Sequence, residues 1–152
     1  TKTGVVKLAD FGVAMKLNEV DRSGGRVTGT PYWMAPEIIS LYPPTPACDI
    51  WSVGSTMIEM ITEKPPYADL QQWPALYKIV EDDHPPLPEG ISTALENFLL
   101  LCFDKEPVSR PTAEFLLDDE WMQQAARQTR LGPHRMITPG GRSNITREND
   151  ED

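Results

Sequence analysis

Gly29-Thr30-Pro31-Tyr32-Trp33-Met34-Ala35-Pro36-Glu37 is the stretch on which the reading of this chain turns, together with Asp10-Phe11-Gly12, placed 25 residues before Ala35. Upstream of the triplet, Val5, Val6, Lys7, Leu8 and Ala9 form a short β-rich run after a turn at Thr1 to Gly4, which predicts a strand leading into a loop. From Val13 to Pro36 there is little periodicity, and Gly24, Gly25, Gly29, Pro31 and Pro36 mark a long loop, a feature that in compact domains usually serves function. A lone Asp-Phe-Gly triplet is weak evidence, because a turn closed by Asp and Gly explains it. That bland reading leaves three features unexplained: Gly29 to Met34 directly before Ala35, Asp49 to Ser52 beginning twelve residues after Glu37, and Arg110 followed by Pro111.

Downstream of this stretch the pattern is helical. Pro43, Pro44 and Pro46 punctuate a connection, and Asp49 is placed to cap a helix that continues through Ile50, Trp51, Val53, Met57, Ile58, Met60 and Ile61. Apolar residues cover nearly every face of that helix, which predicts burial at the centre of a helical domain. Ala75, Leu76, Ile79 and Val80 make the stripe of a second helix, from Pro74 to about Glu81. Thr93 and Glu96 match a capping box, followed by Leu95, Phe98, Leu99, Cys102 and Phe103 on one helical face. A last helix is predicted from Pro111 or Thr112 to Leu117, with Trp121 as an anchor. Past Gln124 the apolar pattern fails, so residues 1–122 read as the folded part and residues 123–152 as a disordered tail.

Composition narrows the classes further. At 152 residues and 39% hydrophobic, the chain has the apolar content for one core. No apolar run of membrane-spanning length and no signal-peptide pattern are present, so a soluble, cytoplasmic protein is expected. The formal net charge of −9 opposes a phosphate backbone or an anionic membrane, which excludes bulk nucleic-acid binding. Cys48 and Cys102, like His84 and His134, stand too far apart for a disulfide framework or a zinc site.

On the motifs quoted above, residues 1 to about 122 resemble the C-terminal lobe of eukaryotic protein serine/threonine kinases of the sterile-type (STE) group. Asp10-Phe11-Gly12 and Ala35-Pro36-Glu37 are similar to the two ends of a kinase activation segment. Within the group, the run from Pro65-Pro66-Tyr67 through Leu76, Tyr77, Ile79 and Val80 to His84-Pro85-Pro86-Leu87-Pro88 resembles epsilon-type MAP kinase kinase kinases and fungal septation-initiation kinases. The resemblance implies a mainly α fold, an incomplete C-terminal helical lobe of the protein-kinase fold with one short β-strand at its N-terminus. It also implies ATP and Mg2+ as cofactors and a protein substrate, with a downstream kinase as a candidate and an upstream activator.

The resemblance assigns roles residue by residue. Asp10, Phe11 and Gly12 belong to the cofactor site. The Asp10 carboxylate binds the metal, a task suited to oxygen ligands; Phe11 packs beneath it and Gly12 lets the backbone turn. Thr30 and Trp33 lie where the phosphoacceptor docks, and the Thr30 hydroxyl favours Ser/Thr over Tyr as acceptor. Glu37 and Arg110 form a buried ion pair, and Asp49 holds both its own helix and the catalytic loop; these three are structural supports. Ser23 and Thr28 are candidate phosphorylation sites, because phosphate in such a loop can order it by pairing with arginines. Relatives often carry Ser or Thr where this chain has Arg26, three residues before Gly29.

No catalytic residue is expected within the chain itself. The glycine-rich loop, the ATP-gripping lysine and the proton-accepting aspartate of a complete kinase are absent from residues 1–152 and are expected upstream. The chain therefore reads as a fragment, inactive and poorly soluble alone. The alternative reading is a non-catalytic, kinase-derived interaction module, against which the intact Asp10-Phe11-Gly12 argues.

Overall fold

The computed structural model describes Lys2, residues 6–12, Ala14 and residues 30–131 of the chain. Ser23 and Thr28 lie outside the described residues, as does everything past Leu131. A single 3-10 turn at Pro31–Trp33 leads into helices α1 (Pro36–Ile39), α2 (Ala47–Thr62), α3 (Gln72–Glu81), α4 (Thr93–Cys102), α5 (Ala113–Leu117) and α6 (Glu120–Leu131). The mainly α expectation holds. The N-terminal strand does not appear among the described residues: Val6 to Asp10 have no regular structure, and Val6 and Leu8 are exposed. A strand is stabilised by its ladder, and no neighbouring strand among the described residues takes up those N–H and C=O groups.

Helix α2 organises the core along one face. Ile50, Trp51, Gly54, Ser55 and Ile58 are buried, the spacing of one helical side. Trp51 stands edge-on to Phe103, ring centroids 5.0 Å apart at 75°. Around this pair pack Ala35, Ile58, Ile79 and Leu99, while Ile50, Phe98, Cys102 and Leu116 form a second cluster. Each large side chain removed from water here contributes about 1.5–3 kcal/mol. Gly54 sets how closely α2 approaches α4, because a Cβ at that position falls 2.9 Å from both the Cys102 Cβ and the Phe103 ring.

The other face of α2 corrects the sequence expectation of all-round burial. Val53, Met60 and Ile61 are exposed, Met60 at 78%. Helix α2 packs against the 3-10 turn and α4 on one side only, so its apolar coverage exceeds what the described neighbours bury.

Helix starts also differ in detail from the sequence reading. Helix α2 begins at Ala47, two residues before Asp49, so Asp49 sits exposed in the first turn rather than at the cap. There its charge still complements the partial positive charge of the helix N-terminus. Helix α4 is capped by Ser92, whose hydroxyl accepts the Leu95 N–H at 3.2 Å, so Thr93 is its first residue and the Thr93/Glu96 capping box does not form. At α5 the start agrees with the sequence reading, and the Thr112 hydroxyl caps the helix by accepting the Phe115 N–H at 3.2 Å.

Helical structure also continues past residue 122. The segment read as tail from residue 123 starts inside α6, which runs on to Leu131. Asp119 begins that helix, its Oδ1 accepting the Trp121 N–H at 2.8 Å, a side-chain cap of the usual kind. Trp121 then anchors it against Phe98, ring centroids 5.0 Å apart. Beyond this anchor Gln123, Gln124, Ala125, Ala126 and Arg127 are good helix formers, and they extend the helix without an apolar stripe.

Candidate functional site

Residues 30 to 37 form the scaffold of the site, and three side-chain attachments hold them to the helices. Thr30 is extended and exposed, and its hydroxyl makes no capping bond to the 3-10 turn that follows. Pro31 is buried, and the Met34 N–H closes the turn on the Pro31 carbonyl at 2.9 Å. The first attachment is Tyr32, whose hydroxyl donates to the Leu70 carbonyl at 2.9 Å.

Trp33 provides the second. Its Nε1 donates to Glu59 Oε2 at 3.0 Å, and its carbonyl accepts the Ser52 hydroxyl at 2.8 Å. Both partners lie on α2, so a half-buried tryptophan is clipped at two points to one helix face. The residue assigned by resemblance to substrate binding thus spends its polar groups inside the fold. Sequence reading does not single out Glu59 and Ser52 as partners of this loop. The only signal is the Asp49-to-Ser52 stretch, read for its spacing.

Glu37 and Arg110 are the third attachment and meet as expected. Arg110 donates from Nη1 to Glu37 Oε1 at 2.8 Å and from Nη2 to Oε2 at 3.1 Å, both side chains buried. The guanidinium also donates to the Ala47 carbonyl at 2.6 Å and, from Nε, to the Asp104 carbonyl at 3.0 Å. Its carbon lies 5.3 Å from the Trp51 ring centroid, within cation–π range. One arginine therefore joins α1, the start of α2, the turn after α4 and the central tryptophan. Beside it, burial first, then the charges of Asp49 and Glu37, push the Cys48 thiol up to about 11.

Asp10, Phe11 and Gly12 are placed differently. Asp10 has a left-handed backbone, φ 63°, a conformation that Asp tolerates better than most residues. Its Oδ1 accepts the Gly12 N–H at 3.3 Å, and the Ala14 N–H reaches the Phe11 carbonyl at 3.1 Å. These bonds are local, a tight turn that presents an exposed carboxylate. Phe11 is 68% exposed, which corrects the expectation that it packs beneath Asp10. A phenyl ring is buried only where apolar neighbours meet it, and the described residues offer none at this end of the chain.

The turn and the clamped segment thus lie on separate parts of the described chain, and the structure brings Tyr32, Trp33, Glu37, Ser52, Glu59 and Arg110 into one framework around α2. Among the described residues no three His, Cys, Asp or Glu side chains gather as a metal cluster, and no helix is long and apolar enough to cross a membrane.

Comparison with known proteins agrees with this framework. The protein kinase domain family matches residues 1–122. The chain is 55% identical over 130 residues to MAP3K epsilon protein kinase 2 of Arabidopsis thaliana, covering 86% of this chain and 10% of that protein. It is 53% identical over 133 residues to cytokinesis protein sepH of Aspergillus niger, covering 88% of this chain and 10% of that protein. Cell division control protein 7 of Schizosaccharomyces pombe is 51% identical over 122 residues, covering 80% of this chain and 11% of that protein. The chain spans about a tenth of the length of these relatives. The likeness read from Pro65 to Pro88 is borne out by these names. Clamped at Trp33 and Glu37 and matched over most of its length, the chain belongs to the protein kinase domain family, of which it presents the C-terminal helical part.

Proposed function

We propose that the chain supplies the activation segment and helical lobe of a serine/threonine kinase that transfers the γ-phosphoryl group of ATP to protein substrates, in the cytoplasm, within a signalling cascade. The observation that carries this reading is the contrast at residues 30 to 37: Tyr32, Trp33 and Glu37 are each bonded to the helical body, while the Thr30 hydroxyl at the edge of the segment stays exposed. Phosphoryl transfer needs positioning more than covalent chemistry from the protein. A clamped segment with one free hydroxyl suits the docking of an acceptor Ser or Thr.

Asp10 fits magnesium. Its carboxylate is exposed, and the turn held by the Gly12 N–H engages Oδ1 alone among the described residues. Magnesium is typically held by one or two carboxylates plus phosphate oxygens and water, so a single acid is a sufficient protein contribution from this segment. When bound, magnesium neutralises charge on the ATP phosphates, and the nucleotide supplies the transferred group. Gly12 keeps the turn tight around Asp10, with space for a Cβ only 3.3 Å from Asp10 Oδ1. Glu37, Arg110 and Asp49 are supports, and Ser23 and Thr28 are the candidate sites at which an upstream activator acts. The relatives' names favour a downstream kinase as substrate.

In this reading the groups that accept the substrate proton and grip ATP are no part of residues 1–152, and the chain alone is inactive. Two incubations with radiolabelled ATP, magnesium and a generic basic protein test the proposal. The chain alone is expected to transfer no label above background. A complete kinase domain carrying this chain is expected to transfer label and to lose that activity on Asp10→Ala. Unchanged transfer by the Asp10→Ala domain would overturn the reading.

A further inference from the structure

Between α1 and α2 the chain runs through Tyr42-Pro43-Pro44-Thr45-Pro46, without regular structure from Tyr42 to Thr45. It leaves α1 at Leu41, whose backbone is left-handed at φ 62°, and at Tyr42, whose N–H donates to the Glu37 carbonyl at 2.9 Å. It is taken up again where the Thr45 carbonyl accepts the Cys48 N–H at 3.1 Å and the Pro46 carbonyl accepts the Asp49 N–H at 3.2 Å. In between, proline brings no N–H, and among the described residues neither Pro43 nor Pro44 makes a hydrogen bond. Tyr42, Pro43 and Thr45 each precede a proline, which biases them to extended backbone. Both Thr45 and Pro46 are exposed, and the Thr45 hydroxyl has no hydrogen-bond partner among the described residues.

The sequence holds three Thr-Pro pairs: Thr30-Pro31, Thr45-Pro46 and Thr138-Pro139. The last lies outside the described residues. In the first, Pro31 is buried and its carbonyl closes the 3-10 turn on Met34, so the ring is out of reach. Thr45-Pro46 alone among the described residues offers hydroxyl and ring to solvent together. Charge narrows what reads it. From Val27 to Glu63 there is no Lys, Arg or His, so an enzyme that finds its acceptor by nearby cations has nothing to recognise here. Proline is the signal that remains. An enzyme groove with no hydrogen-bond acceptor opposite the residue after the hydroxyl selects proline there, because any other residue strands an N–H.

We propose that Thr45 is a phosphorylation site for a second protein kinase, of the class that requires proline directly after the acceptor. The proposal does not rest on the kinase reading of this chain, which is here the substrate, and the site is separate from Ser23 and Thr28. In the transfer the Thr45 Oγ1 bonds to the γ-phosphorus of ATP as the bond to ADP breaks, and the hydroxyl proton passes to a carboxylate of the modifying enzyme. Thr45 and Glu37 line one cavity of about 590 Å3, and Arg110 donates to the carbonyl of Ala47, two residues after Thr45. A phosphate, with a charge of about −1.5 to −2, is therefore set down beside the Glu37–Arg110 clamp. Lys105 is the cation among the residues lining that cavity.

The test uses a complete kinase domain carrying this chain, with Asp10→Ala to suppress self-labelling. It is incubated with ATP, magnesium and a purified mitogen-activated protein kinase, an enzyme of the proline-directed class, and the phosphates are located by peptide mass spectrometry. Phosphate is expected on Thr45. Adding Pro46→Ala to the domain restores an N–H after the acceptor and is expected to reduce labelling of Thr45 at least about tenfold. A thermal melt compares the folds of the two domains. Should the Pro46→Ala domain melt early, a kinase that reads basic residues, supplied in place of the proline-directed one, still tests the requirement, since it is expected to leave Thr45 unlabelled. Absence of phosphate on Thr45, equal labelling of Thr45 in a folded Pro46→Ala domain, labelling of Thr45 by the kinase that reads basic residues, or phosphate on Thr45 without any added kinase would each overturn the proposal.

Discussion

Glu37 and Arg110, 73 residues apart in sequence, meet through two parallel hydrogen bonds of 2.8 and 3.1 Å between buried side chains. The pair fixes α1 to the stretch between α4 and α5. The same guanidinium satisfies two backbone carbonyls, those of Ala47 and Asp104. A buried ion pair adds little net stability over a well-packed apolar replacement, but removing one partner strands the other.

Arg110→Ala is accordingly expected to destabilise the domain by about 3–5 kcal/mol, and Glu37→Ala by a comparable amount. The double variant is expected to lose less than the two single losses combined, since both remove one interaction. Urea unfolding of the three variants measures this. Additive losses would mean that the pair is not coupled.

Gly54 faces α4 where no side chain fits, a Cβ standing 2.9 Å from the Cys102 Cβ and from the Phe103 ring. Alanine is the better helix former by about 1 kcal/mol. Overpacking costs about 1–3 kcal/mol and outweighs it. Gly54→Ala is therefore expected to lower the unfolding midpoint in urea; a higher midpoint would show that α4 gives way freely.

Asp82 receives hydrogen bonds from Lys78 at 3.1 Å and from the Tyr67 hydroxyl at 2.9 Å, and these, in that order, hold its carboxyl below the usual carboxylate range. A depressed folded value contributes stability that is present above the unfolded value of 3.8 and is lost as pH falls through the folded one. Asp82→Asn is thus expected to melt below the parent chain at neutral pH. The gap should close in acid below the ordinary carboxylate range. A gap independent of pH would assign the loss to packing.

The two thiols are expected to be poor nucleophiles. Burial pushes Cys102 up to about 12, and burial followed by the Asp49 and Glu37 charges pushes Cys48 up to about 11. Both values are raised above 9.0, so their contribution to stability is present below that pH and is lost as pH rises through the folded values. Since the thiolate is the reactive form, alkylation near neutral pH should label half-buried Cys48 slowly and buried Cys102 only after denaturation. Mass spectrometry of the alkylated chain reads this out, and rapid labelling of Cys102 in the folded chain would contradict it.

By itself the sequence determined most of the helices and, through resemblance, the family. Helical periods in α3 and α4, the Asp10-Phe11-Gly12 and Ala35-Pro36-Glu37 spacing, and Arg110 before Pro111 are local patterns, and each is legible because one residue's neighbours set it. Even the Glu37–Arg110 pair is reached through resemblance to a family rather than through the pattern itself. Only the tertiary structure decided the rest. It clipped Trp33 to Ser52 and Glu59, left Phe11 and one face of α2 exposed, moved the α4 cap to Ser92, opened α6 at Asp119, and set Trp73 and Tyr77 outward. The physical reason is that burial and long-range hydrogen bonding depend on which elements pack together. An apolar residue or a free hydroxyl looks the same in the sequence whether a neighbour covers it or solvent does.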